Sequence, residues 1–203
     1  MFRIGTGYDV HKFADSTGAE AGPRIVPSGE TGAEAGPRIP QSGNSGQGGS
    51  QCVSYAEGIV LGGVRIPHEK ALLAHSDGDV LLHAIMDAML GAAALGDIGK
   101  HFPDSDDRYE GISSLELLDC TCTKLREAGY RVVNIDSTVI AQRPRISKYT
   151  DKMRKNIAEV LHLGTDRISV KATTEEGLGF TGRQEGIAAQ AVCLIEGESD
   201  ENI

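Results

Sequence analysis

The sequence predicts a single α+β domain in which helices pack on one face of a small mixed β-sheet. Segments that read as strands alternate with helix-patterned segments along the chain. The length of 203 residues, 39% of them hydrophobic, suffices for one buried core and argues against a second full domain. We therefore treat 1–203 as one domain, interrupted by a low-complexity insertion at 14–57.

Six short segments have the composition of β-strands. Val133, Ile135 and Val139 alternate along one segment, as expected for a strand with one buried face. Gly62 and Gly63 separate two apolar triplets and predict a turn between them. The predicted strands are 2–7, 59–61, 64–66, 130–141, 167–173 and 187–195.

Helical periodicity predicts helices over 78–95, 114–128 and 147–162. In the first helix, Ser76 followed by Asp79 resembles a capping box, and Gly96 ends an Ala-rich run. Two faces are expected on this helix. The core face carries Val80, Ile85, Met89 and Ala93, and a polar face carries Asp79, His83 and Asp87.

The insertion at 14–57 breaks the composition of the chain. The segment TGAEAGPRI occurs at 17–25 and again at 31–39, and a Gly/Ser/Gln stretch follows at 41–51. Few large apolar side chains are present to offset an ordering entropy of roughly 1–2 kcal/mol per residue. We expect a mobile loop, tolerated at a hairpin tip, with a partner-binding segment as the alternative.

Composition bounds the class of partner and the compartment. With 29 acidic and 20 basic residues the formal charge is -9, which argues against nucleic acid or an anionic membrane as partner. The four cysteines form no C-x-x-C pair and are read as reduced thiols in a cytosol-like compartment. With neither an apolar span nor a leader in the sequence, the expected protein is soluble, unprocessed and cytoplasmic.

A metal site is predicted from Asp9, His11 and His83. Asp9 and His11 alternate at an extended strand end and project to one side, while His83 lies on the first helix. One carboxylate and two imidazoles suit zinc and leave a fourth position open for water or substrate. The alternative is a turn aspartate with a surface and a boundary histidine. His75 and Asp79 add to the polar cluster nearby.

Two loops carry further polar clusters. In GDIGKHFPDSD (96–106), Asp97, Asp104 and Asp106 suit contacts with hydroxyl groups or metal-bound water, or simply a solvated connection. In KATTEEGLGFTGRQEG (171–186), hydroxyls and loop amides can surround phosphates, and one glutamate can hold a hard divalent cation. The alternative for this second loop is a β-hairpin turn.

Taken together, these motifs resemble the 2-C-methyl-D-erythritol 2,4-cyclodiphosphate synthase family of the non-mevalonate isoprenoid pathway. The likeness runs through GTGYDVHKF (5–13), residues 72–106, IAQRPRI (140–146) and residues 171–186. It covers nearly the whole chain outside 14–57, where the insertion departs from the family's short hairpin. The resemblance implies a trimer-forming layer fold, chorismate-mutase-like or ferredoxin-like.

The resemblance also implies residue roles. Asp9, His11 and His83 would bind Zn²⁺, Glu176 would hold Mg²⁺ or Mn²⁺ on the diphosphate, and His75 and Thr174 would stabilise the transition state. The residues implied at the methylerythritol and phosphate end are Ser76, Asp97, Ile98, Gly99, Phe102, Pro103, Asp104, Ser105 and Asp106. Those implied at the cytidine diphosphate end are Ala141, Gln142, Arg143, Pro144, Arg145, Ile146, Ser147, Thr173, Glu175, Phe180 and Arg183.

The implied reaction is cyclisation of 4-diphosphocytidyl-2-C-methyl-D-erythritol 2-phosphate with release of CMP, in a homotrimer whose active sites lie between subunits. Tyr8, Arg183 and Glu185 are expected at the trimer axis, where an isoprenoid diphosphate could bind as a regulator. Two alternatives remain open at this point. One is a phosphohydrolase that admits water to the zinc, and the other is a non-catalytic trimer with a structural zinc.

Overall fold

A computed structural model describes residues 1–14 and 58–197 of the chain. It contains a mixed sheet with helices, which confirms the predicted α+β class. The strands are β1 (Phe2–Lys12), β2 (Ile59–Leu61), β3 (Val64–Ile66), β4 (Tyr130–Ile140), β5 (Ile168–Thr173) and β6 (Gly186–Gly197). The helices are α1 (Val80–Ala92), α2 (Ile98–His101), α3 (Ser114–Glu127), α4 (Thr150–Leu161) and α5 (Gly179–Gly182).

The main sheet has four strands in the order β1-β6-β4-β5. Strand β6 pairs antiparallel with β1 and β4, and β4 pairs parallel with β5, so the sheet is mixed as predicted. Strands β2 and β3 form a separate antiparallel hairpin around Gly62 and Gly63, both of which have positive φ. Helices α1, α3 and α4 all contact the main sheet.

Strand β1 differs from the prediction in length. The expected strand over 2–7 is too short, because pairing with β6 continues through His11 opposite Ile187 and Lys12 opposite Gly186. The apolar alternation that marks the first half of the strand stops at Gly7, and only the partner strand extends the ladder. Asp9 and His11 are consequently held inside a regular strand, where hydrogen bonds to β6 fix their backbone.

The two faces of β1 differ in exposure. Phe2, Ile4, Tyr8 and Val10 are exposed, and Ile4 is 69% exposed. The alternate residues Gly5 and Gly7 are buried against α1. The strand therefore presents an apolar surface on the side away from the helix.

Helix α1 departs from the prediction in its ends and its faces. It starts at Val80 and ends at Ala92, and Asp79, not Ser76, is the N-cap, with its side chain accepting the Leu82 N–H. Ala94 has a left-handed φ of 59° just beyond the helix, before Gly96 is reached. Two of the three residues on the expected polar face are also buried: Asp79 fully, and His83 with 9% exposure, whereas Asp87 is half-buried.

Two loop expectations are revised by the fold. The hairpin interpretation of 171–186 is wrong, because β5 and β6 are separated in the sheet by β4 and the connection contains α5. The loop 96–106 contains the short helix α2. The third predicted helix, 147–162, is divided into a 3-10 turn over Ser147–Tyr149 and α4, whereas α3 matches the predicted 114–128 to one residue.

Within residues 1–14 and 58–197, no helix has the length and apolar character needed to cross a membrane. Cys120, Cys122 and Cys193 are free thiols there, while Cys52 lies outside the described residues. The insertion at 14–57 likewise lies outside them apart from Ala14, so the expected mobile loop stays a prediction. So does the cytoplasmic location.

Candidate metal centre

The close contact between β1 and α1 brings the predicted metal ligands together. A Cβ atom added to Gly5 would lie 2.1 Å from the Ala88 carbonyl oxygen, and one added to Gly7 would lie 2.0 Å from that of Ala84. Two residues of strand advance about as far as four residues of helix, roughly 6–7 Å. The next inward side chain of β1 after Gly7 is Asp9, which therefore reaches the first turn of α1.

Three side-chain atoms from these two elements form a small triangle. His83 Nδ1 lies 3.1 Å from His11 Nε2 and 3.1 Å from Asp9 Oδ2. His11 Nε2 lies 3.3 Å from the same Asp9 oxygen. These are the predicted Asp9, His11 and His83 ligands, and together they form the one cluster among the described residues that could hold a metal ion.

The size of the triangle fits a tetrahedral zinc site. Zinc bonds of about 2.0–2.1 Å in tetrahedral geometry require donor atoms about 3.3 Å apart. The three observed separations, 3.1 to 3.3 Å, match one face of such a tetrahedron. Two imidazole nitrogens this close also need a cation or a proton between them, since their lone pairs would otherwise repel. The donor set therefore suits a bound dication with one open corner.

Burial and charge shift the pKa values of all three groups. Burial disfavours the Asp9 carboxylate, but the hydrogen bond from His83 and the charges of both histidines outweigh it and lower the pKa of Asp9. Burial is the main cause of the lowered pKa of His11. Burial also opposes charge on His83, but the hydrogen bond and charge of Asp9 prevail and raise the pKa of His83.

Polar groups from the segment before α1 and from the start of α3 surround His83. The Oγ atoms of Ser76 and Ser114 each lie 3.1 Å from His83 Nε2, on the side opposite the triangle. Asp79 accepts the Gly63 N–H at 2.7 Å and so ties the β2–β3 turn to the start of α1. Burial, together with the charge of Asp77, raises the pKa of Asp79 to about 6.

His75 stands apart from these hydrogen bonds. Its Nε2 atom is buried and has no hydrogen-bond partner among the described residues. Its backbone carbonyl accepts the Gly111 N–H at 2.8 Å, which fixes the start of the segment. An imidazole nitrogen in this state can donate to or accept from a ligand.

The 96–106 segment is organised by aspartates and one aromatic side chain. Asp97 caps α2 by accepting the Lys100 N–H at 2.9 Å, and Asp87 anchors its start through the Ile98 N–H at 2.8 Å. Asp106 pairs with Arg108 at 2.5 Å. Phe102 is buried in the core against Tyr109, with ring centroids 5.5 Å apart. Of the predicted contacts here, Phe102 can offer a ligand only its backbone.

The second predicted cluster forms where β4 and β5 end. The Ala141 N–H donates to the Thr173 carbonyl, and the Gly177 N–H donates to Gln142 Oε1 at 3.2 Å. Thr174 Oγ1 lies 3.1 Å from Glu176 Oε1. A cavity of about 490 Å³ opens beside it, lined by Pro67, His68, Glu69, Arg143, Pro144, Arg145, Lys148, Tyr149 and Gln184. The sequence did not single out Pro67, His68 and Glu69, because they belong to another part of the chain.

Two other predicted contacts, Glu175 and Arg183, already have partners within the chain. Glu175 accepts a short hydrogen bond from Thr181, next to Phe180 in α5. Arg183 donates to Glu185 at 2.7 Å. Glu185 lies directly before β6, so this pair marks the end of the sheet at which β6 begins.

The metal triangle and the second cluster lie at opposite edges of the same sheet end. Val10 is opposite Ala188, Ala188 is opposite Ile140, and Ile140 is opposite Thr173. Three strand spacings separate Val10 from Thr173, roughly 14 Å. Within one chain, Thr173 and Thr174 at the end of β5 are therefore too far from Asp9 and His11 to hold the same phosphate.

Comparison with known proteins gives a consistent result at the level of sequence. The YgbB family matches residues 46–196, more than half of the chain. A 2-C-methyl-D-erythritol 2,4-cyclodiphosphate synthase from Lachnospira eligens is 63% identical over 142 residues, covering 70% of this chain and 78% of that protein. The enzyme of the same name from Clostridium perfringens is 59% identical over 137 residues, covering 68% and 88%.

Solved structures agree. The chain resembles the CDP complex of IspF from Plasmodium falciparum with a TM-score of 0.67 and 30% identity, covering 98% of this chain and 97% of that one. It resembles the bifunctional IspDF from Campylobacter jejuni with a TM-score of 0.74 and 36% identity, covering 97% of this chain but 42% of that longer one. The family match begins after Asp9 and His11, yet β1 carries both to His83. The chain therefore belongs to the YgbB family.

Proposed function

We infer that this chain is a lyase of the non-mevalonate isoprenoid pathway. It cyclises 4-diphosphocytidyl-2-C-methyl-D-erythritol 2-phosphate to 2-C-methyl-D-erythritol 2,4-cyclodiphosphate and releases CMP. Two relatives that bear the name of this enzyme match the chain over 78% and 88% of their own length. The observation that carries the inference is the triangle of Asp9, His11 and His83 donor atoms, 3.1 to 3.3 Å on each side, on a member of the family.

The reaction is an internal displacement at phosphorus. An oxygen of the 2-phosphate bonds to the β-phosphorus, and the bond from that phosphorus to the bridging oxygen of CMP breaks. The electron pair of the broken bond stays on this oxygen, so CMP leaves as a phosphate monoester. The other product is an eight-membered cyclic diphosphate. Attacker and target belong to one molecule, so the protein has to fold the substrate for in-line approach and stabilise charge on the phosphate oxygens.

The donor triangle accounts for one part of this task. Asp9, His11 and His83 would hold Zn²⁺ through one carboxylate and two neutral imidazoles. When bound there, the dication supplies positive charge at an open coordination position for a phosphate oxygen. Zn²⁺ is the metal proposed for this site.

His75 and Thr174 are proposed to position phosphate oxygens by hydrogen bonding. The buried Nε2 atom of His75, without a partner among the described residues, supports this role for His75. Glu176 is proposed to hold Mg²⁺ or Mn²⁺ on the diphosphate, since such ions need only one or two protein carboxylates. The exposed position of Glu176 beside the Thr174 hydroxyl supports that assignment.

The two ends of the substrate are assigned to the two clusters. The cavity beside Arg143, Pro144 and Arg145 is proposed to receive the cytidine diphosphate end, with the rest of Ala141–Ser147, Thr173, Glu175, Phe180 and Arg183 around it. The segment Asp97–Asp106 and Ser76 are proposed to receive the methylerythritol end and its phosphate. The similar Plasmodium falciparum structure is a complex with CDP, which supports a cytidine nucleotide here.

The active site is further proposed to lie between subunits of a homotrimer. The roughly 14 Å between the metal triangle and the threonines at the end of β5 exceeds the reach of one diphosphate. If the second cluster of a neighbouring copy faces the triangle, the two halves meet without any change within the chain. The exposed apolar residues of β1 would be covered by the same association.

Binding of an isoprenoid diphosphate at the trimer axis stays a prediction. Arg183 is exposed at the end of the sheet where β6 begins, and it could pair with a diphosphate in place of Glu185. Thermal-shift titration with an isoprenoid diphosphate tests the prediction. An unchanged melting temperature at saturating ligand would discard it.

Product analysis in ¹⁸O-labelled water tests the proposed function. The purified chain, incubated with the substrate, zinc and magnesium, is expected to release equal amounts of CMP and a cyclic diphosphate with no ¹⁸O. A phosphohydrolase would instead yield linear phosphates that carry ¹⁸O from water. A protein with only a structural zinc would release no CMP.

A further inference from the structure

A chain of three side chains runs outward from His83 on the side away from the metal triangle. His83 Nε2 lies 3.1 Å from Ser114 Oγ. The Ser114 hydroxyl donates to Asp77 Oδ1 at 2.5 Å, and the Ser114 backbone N–H donates to Asp77 Oδ2 at 2.9 Å. Ser114 is fully buried at the first turn of α3, so solvent does not compete for its hydroxyl.

The direction of each hydrogen bond follows from the donors that are present. A carboxylate only accepts, so the single hydroxyl proton of Ser114 is committed to Asp77. Ser114 Oγ then offers lone pairs alone to His83 Nε2, which must carry a proton to complete the chain. In a neutral imidazole this proton leaves Nδ1 with its lone pair facing Asp9 and His11, as a metal ligand requires.

We propose that Asp77 and Ser114 are positioning residues that hold His83 in the Nε2–H tautomer and orient its Nδ1 atom toward the metal. The inference rests on the proposed zinc centre and adds residues that touch neither zinc nor substrate. Asp77 is held by the Asp79 N–H at 3.2 Å and in turn fixes the N-terminus of α3. The hydrogen bonds among Asp77, Ser114 and His83 therefore connect the metal ligand on α1 to the start of α3.

Ser76 is the competing partner for His83. Its Oγ atom also lies 3.1 Å from Nε2, but it accepts the Gly78 N–H at 3.4 Å and is only partly buried. In a variant without the Ser114 hydroxyl, Ser76 can take over as acceptor. Removal of Ser114 Oγ is therefore expected to weaken zinc binding without abolishing it.

The test compares two buried hydroxyls on α3. Ser114→Ala removes the acceptor of His83, and Thr121→Ala removes a hydroxyl that bonds only the Leu117 carbonyl, two turns further along the helix. Zinc affinity of the whole protein is measured by competition with a chelator, and the melting temperature of the zinc-free form is measured alongside. Loss of a group that orients a metal ligand typically costs about 10–100-fold in affinity, and about that loss is expected for Ser114→Ala alone.

The outcomes separate this inference from the proposed metal centre. Wild-type protein that binds no zinc would reject the centre itself. Zinc binding by the wild type and equally by Ser114→Ala would overturn only the roles of Asp77 and Ser114, as would an equal loss of affinity in Thr121→Ala. Should Ser114→Ala fail to fold, NMR of the zinc-loaded wild type decides. Slow exchange of the His83 Nε2–H with water would support its hydrogen bond to Ser114, and fast exchange would overturn the proposed roles of Asp77 and Ser114.

Discussion

At the scale of single residues, His83 connects the metal site to its surroundings. Its Nδ1 atom faces Asp9 and His11, and its Nε2 atom faces the hydroxyls of Ser76 and Ser114. We expect His83→Ala to lose zinc and CMP release while the chain stays folded, with zinc-free stability reduced by only about 1–3 kcal/mol. Metal analysis, CMP release and circular dichroism check this. His162→Asn, at an exposed left-handed position after α4, is the control and should keep both zinc and activity. An unfolded His83→Ala would support a structural zinc instead.

The pKa shifts of the ligands set the pH dependence of zinc binding. Zinc needs both imidazoles neutral, so the raised pKa of His83 makes it the first group to compete as the pH falls. His11, whose pKa is lowered, protonates only in stronger acid. Between these two pKa values one proton displaces each zinc, and we expect affinity to fall about tenfold per pH unit. Chelator competition across pH checks this, and a flat profile between about pH 8 and pH 5 would contradict it.

In the zinc-free chain the raised pKa of His83 acts with the opposite sign, whereas the lowered pKa of His11 costs stability as the pH falls below about 6.5. A His83 pKa raised above its unfolded value contributes stability that is fully present below about pH 6.5 and is lost as the pH rises through the folded value. The lowered pKa of Asp9 contributes stability above its unfolded value of 3.8, and this is lost as the pH falls further. The gain in melting temperature on adding zinc should therefore shrink as the pH is lowered from neutral.

Residue types made Asp9, His11 and His83 candidate ligands and the family resemblance linked them, but neither revealed the residues that support them. Asp9, His11 and His83 stand out because carboxylate and imidazole are zinc ligands. Ser114 lies 31 positions from His83 and 37 from Asp77 in the chain. From sequence, Ser113 and Ser114 are equally plausible caps of α3; in the fold Ser113 is the N-cap, and only the contact between α1 and α3 shows that Ser114 meets His83.

At the scale of elements, the contact between β1 and α1 determines whether the ligands meet. Gly7→Ala would bring a methyl group to 2.0 Å from the Ala84 carbonyl, so the helix must move away from the strand. We expect a stability loss of about 1–3 kcal/mol or more and a clear loss of zinc affinity. Denaturant unfolding and zinc titration check both effects.

Gly91→Ala is the matched control for that prediction. Gly91 lies in the same helix, and its added Cβ would meet only the Thr6 carbonyl oxygen at 3.9 Å. Replacing a mid-helix glycine should raise stability by about 0.5–1 kcal/mol. Equal effects of Gly7→Ala and Gly91→Ala would show that the close approach of strand and helix does not position the site.

Strands and helices were predictable where a periodic pattern was long. The ends of α1 were not, because Ser76 and Asp79 both have capping side chains and only the fold selects Asp79. The second half of β1 was missed because its polar residues face a buried site and break the usual alternation. The hairpin interpretation of 171–186 failed because loop sequence does not reveal that β4 lies between β5 and β6.

At the scale of the whole molecule, the exposed face of β1 provides the test of the proposed trimer. Ile4→Glu places a charge on a side chain that is 69% exposed in the single chain. We expect a monomer near the 21.5 kDa of one chain, with CMP release lost because the two halves of the site no longer meet. Zinc binding should survive, since one chain supplies all three ligands. Light scattering, CMP release and zinc titration measure these.

Cys120→Glu is the control, because it adds the same charge on the exposed side of α3 and should leave assembly and activity intact. A fully active Ile4→Glu monomer would contradict the placement of the site between subunits.

The sequence also left the long-range assembly of the site open. The family match starts at residue 46, and His11 and His83 are 72 positions apart, with the insertion between them. The order of the motifs and the family resemblance linked the segment of His11 to that of His83. Their separation along the chain gave no reason to expect contact. Pairing of β1 with β6, and packing of β1 on α1, supply the missing connection.

Zinc add-back to the metal-free protein tests the central claim most directly. We expect zinc to bind at one ion per chain and CMP release from the cytidine substrate to return in proportion to the zinc bound, with magnesium present throughout. Undiminished CMP release from zinc-free protein, or zinc binding that is unchanged when Asp9, His11 and His83 are all replaced by Ala, would contradict the account.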